Sequence, residues 1–383
     1  MTSPKRTPLY HAHQKLGARF VDFGGWEMPV HYSSIVDEHL AVRKSGGLFD
    51  IAHMGEVFAT GPGAGEFLNQ VLTNDIHRLA VGQAQYTLMC NQKGGVVDDL
   101  YVYRLEDQKF LLIINASRIE ADWDWLQAQY DMARVESGLQ LKNASDDLGA
   151  VAIQGPNVAD IMDRSIPGGC LGGKFVDSIS ALAKNDVGIF VFEGTTVFVA
   201  RTGYTGEDGF EVVAPANALE ALWVRLMAQG HSECLQPAGL GSRDTLRTEM
   251  CYPLYGHELN ESTTPLEAGL GYFVALDKGD FPGREVMLAQ KKTGLERRCI
   301  AFIMKDKAAP PRPHYPIWNT GPDAQPVGKV SSGTRSPCLN EGIGLGYVPV
   351  VLAQPGTPIA IEIRGSRFKA EIVRKPIYKP AGK

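Results

Sequence analysis

The feature that most constrains this chain is a change of pattern near residue 285. Upstream, apolar residues recur at both strand and helix spacing. After EVMLAQKKTG (285–294) and a Pro-rich stretch at 310–316, the helical spacing stops. Four β-rich runs follow, PVGKVSSG (326–333), GIGLGYV (342–348), PIAIEIRG (358–365) and RFKAEIVRKPI (367–377), separated by Gly and Pro. Such a tail is expected to close into a small all-β barrel or sandwich. At about 100–200 residues per domain, 383 residues then make two or three domains.

Upstream of 285 the pattern is mixed. VDEHLAVRK (36–44) has helical spacing, and Gly46-Gly47 stops it. GEVFAT (55–60), AQYTLMC (84–90), DDLYVYRL (98–105) and KFLLIIN (109–115) read as strands. The last two form a hairpin turning at Glu106-Asp107-Gln108. Helical spacing recurs in PGAGEFLNQVL (62–72) and in SRIEADWDWLQAQ (117–129), where Ser117 as N-cap and Glu120 at N3 suggest a capping box. GAVAIQGPNVADIM (149–162) reads as strand, turn and helix. VGIFVFEGTTVFVART (187–202) is a hairpin turning at Glu193-Gly194, and NALEALWVRLMAQG (217–230) a helix with a Gly stop. The class is α+β with an all-β C-terminal domain.

Composition excludes several functions. Lys and Arg number 38 against 43 Asp and Glu, so no overall basic field gathers nucleic acid or anionic lipid. The longest apolar stretches, such as Phe110 to Ile114, are too short to span a bilayer, so no membrane is expected. Six scattered cysteines without CxxC spacing point to a reducing compartment and give no zinc-ligand pattern. The first residues lack a signal-peptide stretch. A bacterial cytoplasmic protein is expected, or a mitochondrial matrix protein if this is a processed eukaryotic form.

Among glycine-dense stretches, Gly61–Gly65 and Gly239–Gly241 complete no GxGxxG after a strand, and no GxxxxGK[ST] occurs. His11 and His13 form an HxH without a third ligand, and both are expected at the surface. Three segments offer chemistry. In Lys93-Gly-Gly-Val-Val-Asp-Asp-Leu-Tyr101, Asp98 and Asp99 must face opposite sides of a strand. One is expected to meet solvent or cap the Gly-Gly turn while the other faces what the sheet covers. They are turn acids, or one is a carboxylate held in a cleft as proton acceptor or counter-ion. Arg201–Glu211 is a tight turn, or else Tyr204 offers a stacking face and Glu211 accepts two N–H bonds from an amino-heterocycle such as pterin or guanine. Gly239–Glu249 starts a helix. Its Arg243, Asp244, Arg247 and Glu249 satisfy one another on a solvated face, or an Arg meets a heterocycle carbonyl.

Together the segments resemble the T-protein family of the glycine cleavage system, tetrahydrofolate-dependent aminomethyltransferases. The resemblance runs through Thr7–Tyr10, Phe20–Pro29, Phe49–Gly55, Gly94–Asp99, Arg201–Glu211, Gly239–Arg247, Pro265–Gly269, Ser331–Pro337 and Arg374–Pro376. It covers nearly the whole chain. It implies a three-domain cloverleaf around a central folate-binding channel: domain one at 1–52 and 146–284, an inserted domain two at 53–145, and a C-terminal β-barrel at 285–383. It implies Asp99 as the catalytic carboxylate. Tyr204, Glu211 and Arg243 would hold the pterin, Met54, Tyr86, Asn115 and Tyr252 would line its pocket, and Tyr378 would close over it. The implied partner is lipoylated H-protein, whose S-aminomethyl-dihydrolipoyl arm gives its methylene to tetrahydrofolate. The products are ammonia and 5,10-methylenetetrahydrofolate, and no metal is required. The same scaffold resembles folate-dependent demethylases and non-enzymatic folate-binding iron–sulfur assembly factors. The latter typically carry a distinctive cysteine motif and lack the paired aspartates with the full Gly-Tyr-Thr-Gly-Glu loop. Ser242 and Thr248 depart from the family pattern, which favours Ala and a larger apolar residue there.

Overall fold

Side-chain alternation decides the tail. In strands Arg297–Met304, Pro358–Ile363 and Ser366–Val373, every second residue is apolar. Ile300, Phe302, Ile359, Ile361 and Ile372 are almost wholly buried together. With Pro316–Asn319, Pro326–Arg335 and Gly342–Pro349 these strands form a closed six-stranded barrel. The expected all-β domain is therefore present. Its first and fourth strands in spatial order, Arg297–Met304 and Pro316–Asn319, are additional to the four runs read from the sequence. The glycines of GIGLGYV let strands approach closely: a Cβ at Gly344 would lie 2.7 Å from the Ser332 carbonyl oxygen.

The computed structural model describes residues 3–133 and 138–379. The chain divides into two compact units. One comprises the residues up to Met89, Asp98–Gly203 and Glu207–Arg243; the other comprises Cys90–Val97, Tyr204–Gly206 and the chain from Asp244 onward. The barrel belongs to the second.

The first unit holds two larger sheets. The seven-stranded sheet runs Gly172–Gly173, Val187–Phe192, Thr195–Ala200, Gly209–Pro215, Leu148–Gln154, Gly47–Asp50, Gln236–Pro237; only the last pair is parallel. Helices Val158–Ser165 and Leu219–Gln229 bury Ile161, Met162, Leu222 and Trp223 in one core with its Leu48, Val151, Ile153 and Val212. The five-stranded sheet runs Gln83–Cys90, Val96–Glu106, Lys109–Ile114, Gly55–Thr60, Gln140–Asn143. Helices Ala64–Val71 and Ile119–Met132, joined by the Phe67–Tyr130 ring contact, cover one of its faces.

Three local expectations are corrected. Ser117 does not cap the helix: Ala116–Arg118 form a 3-10 turn closed by Arg118 N–H on the Asn115 carbonyl, and the α-helix starts at Ile119 without a side-chain cap. His13 is not a surface residue. It is fully buried, with Nε2 2.8 Å from Asp50 and Nδ1 3.0 Å from the Tyr32 hydroxyl, tying the Tyr10–Lys15 helix to the sheet. His11 is exposed as expected. The segment Arg201–Asp208 is a longer loop than a tight turn, with the Arg201 guanidinium forked onto Asp208 at 2.9 and 2.5 Å.

The charges of helix Leu240–Met250 do not form a solvated face. Arg247 and Glu249 are buried. Arg247 donates to Asp244 at 2.8 Å, to Glu258 at 3.1 Å, to the Tyr252 carbonyl at 3.2 Å and to the Ser332 hydroxyl at 2.9 Å. Ser331 donates to Glu258, and Ser336 to Glu249. The Ser331–Pro337 motif therefore supplies hydroxyls to buried charges, each of which would be costly alone. Thr248 fits as a polar residue because its hydroxyl donates to the Asp244 carbonyl at 2.7 Å.

Candidate active site

Strand register gathers the first group of expected residues. Tyr101 pairs with Ile113, so Asp99 falls opposite Asn115, one residue past the end of its strand. Gly55 pairs with Ile114, which extends the row to Met54. Hydrogen bonds fix it. The Tyr86 hydroxyl donates to Asp99 Oδ2 at 2.8 Å, and Asn115 Nδ2 lies 3.1 Å from Asp99 Oδ1. Met54, Tyr86, Asp99 and Asn115 are all half-buried, as ligand-contacting side chains need to be.

The two aspartates do face opposite sides of the strand: Asp99 is half-buried on the aromatic face, and Asp98 is the one that faces what the sheet covers. It is wholly buried on the helix-covered face. The turn is served by Asn91, whose Oδ1 accepts from Lys93 N at 2.9 Å and Gly95 N at 3.1 Å. Asp98 accepts from Asn115 N at 2.9 Å and Asn115 Nδ2 at 2.8 Å. Burial, and next the adjacent Asp98 charge, push the Asp99 carboxyl up to about 7.

Along the Asp99 face come Tyr101 and Tyr103, two and four residues on. Tyr86, Tyr101 and Tyr103 form a chain of ring contacts with centroids 5.7 and 6.3 Å apart. At its far end the Tyr103 hydroxyl donates to Glu211 Oε2 at 3.3 Å, and the Thr202 hydroxyl does so at 2.6 Å. Glu211 thus ends the row of aromatic contacts that Asp99 begins, held there by the almost wholly buried Tyr103. Tyr101, Tyr103 and Thr202 were not singled out in the sequence. The period-two spacing of DDLYVYRL carried the signal for the two tyrosines.

Arg243 lies in the same unit, at the start of helix Leu240–Met250. His53, beside Met54, is pushed down to about 4, chiefly by burial and also by the Arg243 charge, with Asp50 opposing. Glu56 is fully buried, and burial holds its carboxyl well above the usual range. In the second unit Tyr204 and Tyr252 stack with centroids 5.8 Å apart, and the Tyr204 hydroxyl donates to the Pro253 carbonyl. Tyr378 is half-buried and its N–H bonds the Glu249 carbonyl.

Comparison with known proteins gives this geometry a context. A family profile described as "GCVT N-terminal domain" matches residues 9–278, and one described as "Glycine cleavage T-protein C-terminal barrel domain" matches residues 297–379. The chain belongs to the glycine cleavage T-protein family. Aminomethyltransferases of Desulforamulus reducens and Symbiobacterium thermophilum are 43% and 44% identical to it, over 99% and 98% of both chains. The crystal structure of the glycine cleavage system aminomethyltransferase T from Bartonella henselae matches with a TM-score of 0.88 at 31% identity, covering 99% of each chain. The α+β fold with its C-terminal barrel is that of the T-protein family, and the chain is an aminomethyltransferase. Among the described residues, no helix is long and apolar enough to cross a membrane.

Proposed function

We propose that the chain transfers the methylene of an S-aminomethyl-dihydrolipoyl group, carried by H-protein, to tetrahydrofolate, with Asp99 as the reacting carboxylate. The observation that carries the reading is the row of Tyr86, Asp99 and Asn115 beside half-buried Tyr101, with the buried Tyr103 bracing Glu211 at the far end. That row suits a reduced pterin. Its two ends are about 13 Å apart along the strand, four residues at about 3.3 Å each, enough for a fused heterocycle laid lengthwise. Glu211 accepts from the N–H edge of the ring, Arg243 faces its carbonyl, and Met54, Tyr86 and Asn115 line the reacting end. The family resemblance adds Tyr204, Tyr252 and Tyr378 to the residues proposed to contact the folate.

In the reaction the C–N bond of the S–CH2–NH3⁺ unit breaks, ammonia leaves, and the C–S bond breaks as the second bond to folate forms. The two folate N–H protons end on ammonia and on the dihydrolipoyl sulfur. Tetrahydrofolate supplies the two nucleophilic nitrogens. Asp99 stabilises the positive charge that develops on the carbon and accepts a proton from a nitrogen. A carboxyl near 7 is suited to proton transfer at neutral pH. The three-domain division at 1–52 with 146–284, 53–145 and 285–383 is part of the same proposal. So is a reducing, cytoplasmic setting, supported by six free thiols.

The test is ammonia release from aminomethylated H-protein. Release is expected to be slow alone and much faster with tetrahydrofolate. Turnover of a methylthio or methoxy donor, with none on H-protein, would favour a demethylase instead. Calorimetry tests the pterin contacts. Glu211→Ala and Arg243→Ala are each expected to weaken tetrahydrofolate binding about tenfold to a hundredfold, the loss typical of a charged hydrogen bond. Unchanged affinity in both variants means the pterin is held elsewhere.

A further inference from the structure

Behind Asp99, on the face of the sheet away from the aromatic surface, lies a second carboxyl without an assigned task. Asp122, from helix Ile119–Met132, is wholly buried against Asp98. Among the described residues, no side-chain N–H or O–H lies within hydrogen-bond distance of its oxygens, the Arg118 Nε being 3.8 Å away, so Asp98 becomes its hydrogen-bond partner once one of the two carboxyls carries a proton. The donors around them decide where that proton sits. Asp98 accepts from both the backbone and the side-chain N–H groups of Asn115, which calls for a carboxylate. Asp122 is then the neutral partner and donates to Asp98. The same Asn115 amide nitrogen reaches across the strand to the Asp99 carbonyl at 3.0 Å and to Asp99 Oδ1 at 3.1 Å.

We propose that the buried pair Asp98–Asp122, holding one proton and one negative charge, acts through Asn115 as a positioning device that sets the orientation and proton affinity of Asp99. The inference rests on the reading of Asp99 as the reacting carboxylate. The charged Asp98 repels charge on Asp99 and raises its proton affinity, while the Asn115 amide clamps both carboxylates in place. Among the described residues, the titratable groups in contact with this cluster include Tyr86 from the neighbouring strand, which donates to Asp99, and Arg118, whose Nε is 3.8 Å from Asp122; Tyr101 follows Asp99 on the same face of its strand. Burial, and next the Asp98 charge, push the Asp122 carboxyl well up against the opposing pull of Arg118, the direction expected of the neutral member.

The test is a carboxyl ¹³C NMR titration of aspartate-labelled full-length protein. Position 99 is assigned by its loss in Asp99→Asn and position 122 by its loss in Asp122→Asn. In the wild type, position 122 is expected to remain protonated through neutral pH while position 99 titrates near 7. Titration of position 122 in the ordinary carboxylate range overturns the proposal. Asp98→Asn is expected to lower the titration of position 99 by about one pH unit or more, because the repelling charge is gone. Asp122→Asn, which keeps a donor to Asp98, is expected to leave it within about 0.3 pH unit. An unmoved position 99 in Asp98→Asn, or an equal shift in both variants, contradicts the inference. The acidic limb of kcat/KM against pH is expected to follow position 99. If the NMR result holds and that limb stays fixed, the positioning inference survives and the catalytic reading of Asp99 fails.

Discussion

Asp99→Asn is expected to keep tetrahydrofolate affinity within about threefold and to lower methylene transfer about a thousandfold, within the range for loss of a positioned acid–base group. The asparagine has the shape of the aspartate but neither its charge nor its capacity to take a proton. It also disturbs the row. Asp99 accepts from Tyr86 at one oxygen and faces Asn115 Nδ2 at the other, and an amide at 99 can satisfy only one of these donors. Single-turnover kinetics with aminomethylated H-protein, beside calorimetry, separates the two effects. Turnover near the wild-type rate removes Asp99 from the mechanism.

The second large effect is on stability. Arg247→Ala is expected to destabilise the protein by about 3–5 kcal/mol, because it leaves Glu258 charged and buried without its cation. Arg247 and Glu258 are each almost wholly buried and 3.1 Å apart, and no solvent can take over the lost role. Burial works against the charge, yet Glu258 and, less strongly, Asp244 hold the guanidinium well above its usual range. Thermal unfolding should show a midpoint lower by roughly 10 °C, at about 2–4 °C per kcal/mol for a unit of this size. Arg247→Lys is expected to recover only part of the loss, since one ammonium cannot span Asp244, Glu258, Ser332 and the Tyr252 carbonyl. Adding Glu258→Gln to Arg247→Ala should cost less than the sum of the single losses, because the stranded charge is then absent. An exposed-residue effect within about 0.5 kcal/mol would show that the network bears no weight.

Much of this was legible from local pattern. The period-two alternation of DDLYVYRL places Asp98 and Asp99 on opposite faces, and the same alternation fills the barrel with Ile359, Ile361 and Ile372. Glycine and proline punctuation located the hairpins and the onset of the barrel. What was not legible depends on partners distant in sequence. Nothing near Asp98 announces that Asn91 serves the turn or that Asp122 buries beside it. Nothing near Arg247 announces Ser332, 85 residues away, so a buried network reads as a solvated charge run. His13 reads as a terminal surface histidine until Asp50 and Tyr32 close over it. For Arg247 and His13, a polar residue that its chain neighbours assign to solvent is claimed by the interior through tertiary contact.

The central claim is that the Asp99 carboxylate addresses the nucleophilic amine of a reduced folate. A crystal structure of the protein with tetrahydrofolate, or with a stable reduced analogue, tests it most directly. The expected result is a pterin against Tyr86 and Tyr101 with its N–H edge on Glu211 and a reacting nitrogen within hydrogen-bond reach of Asp99, about 2.6–3.2 Å or one water away. A folate bound away from that surface, or an Asp99 side chain turned from the nitrogens while the ligand is in place, would contradict the account.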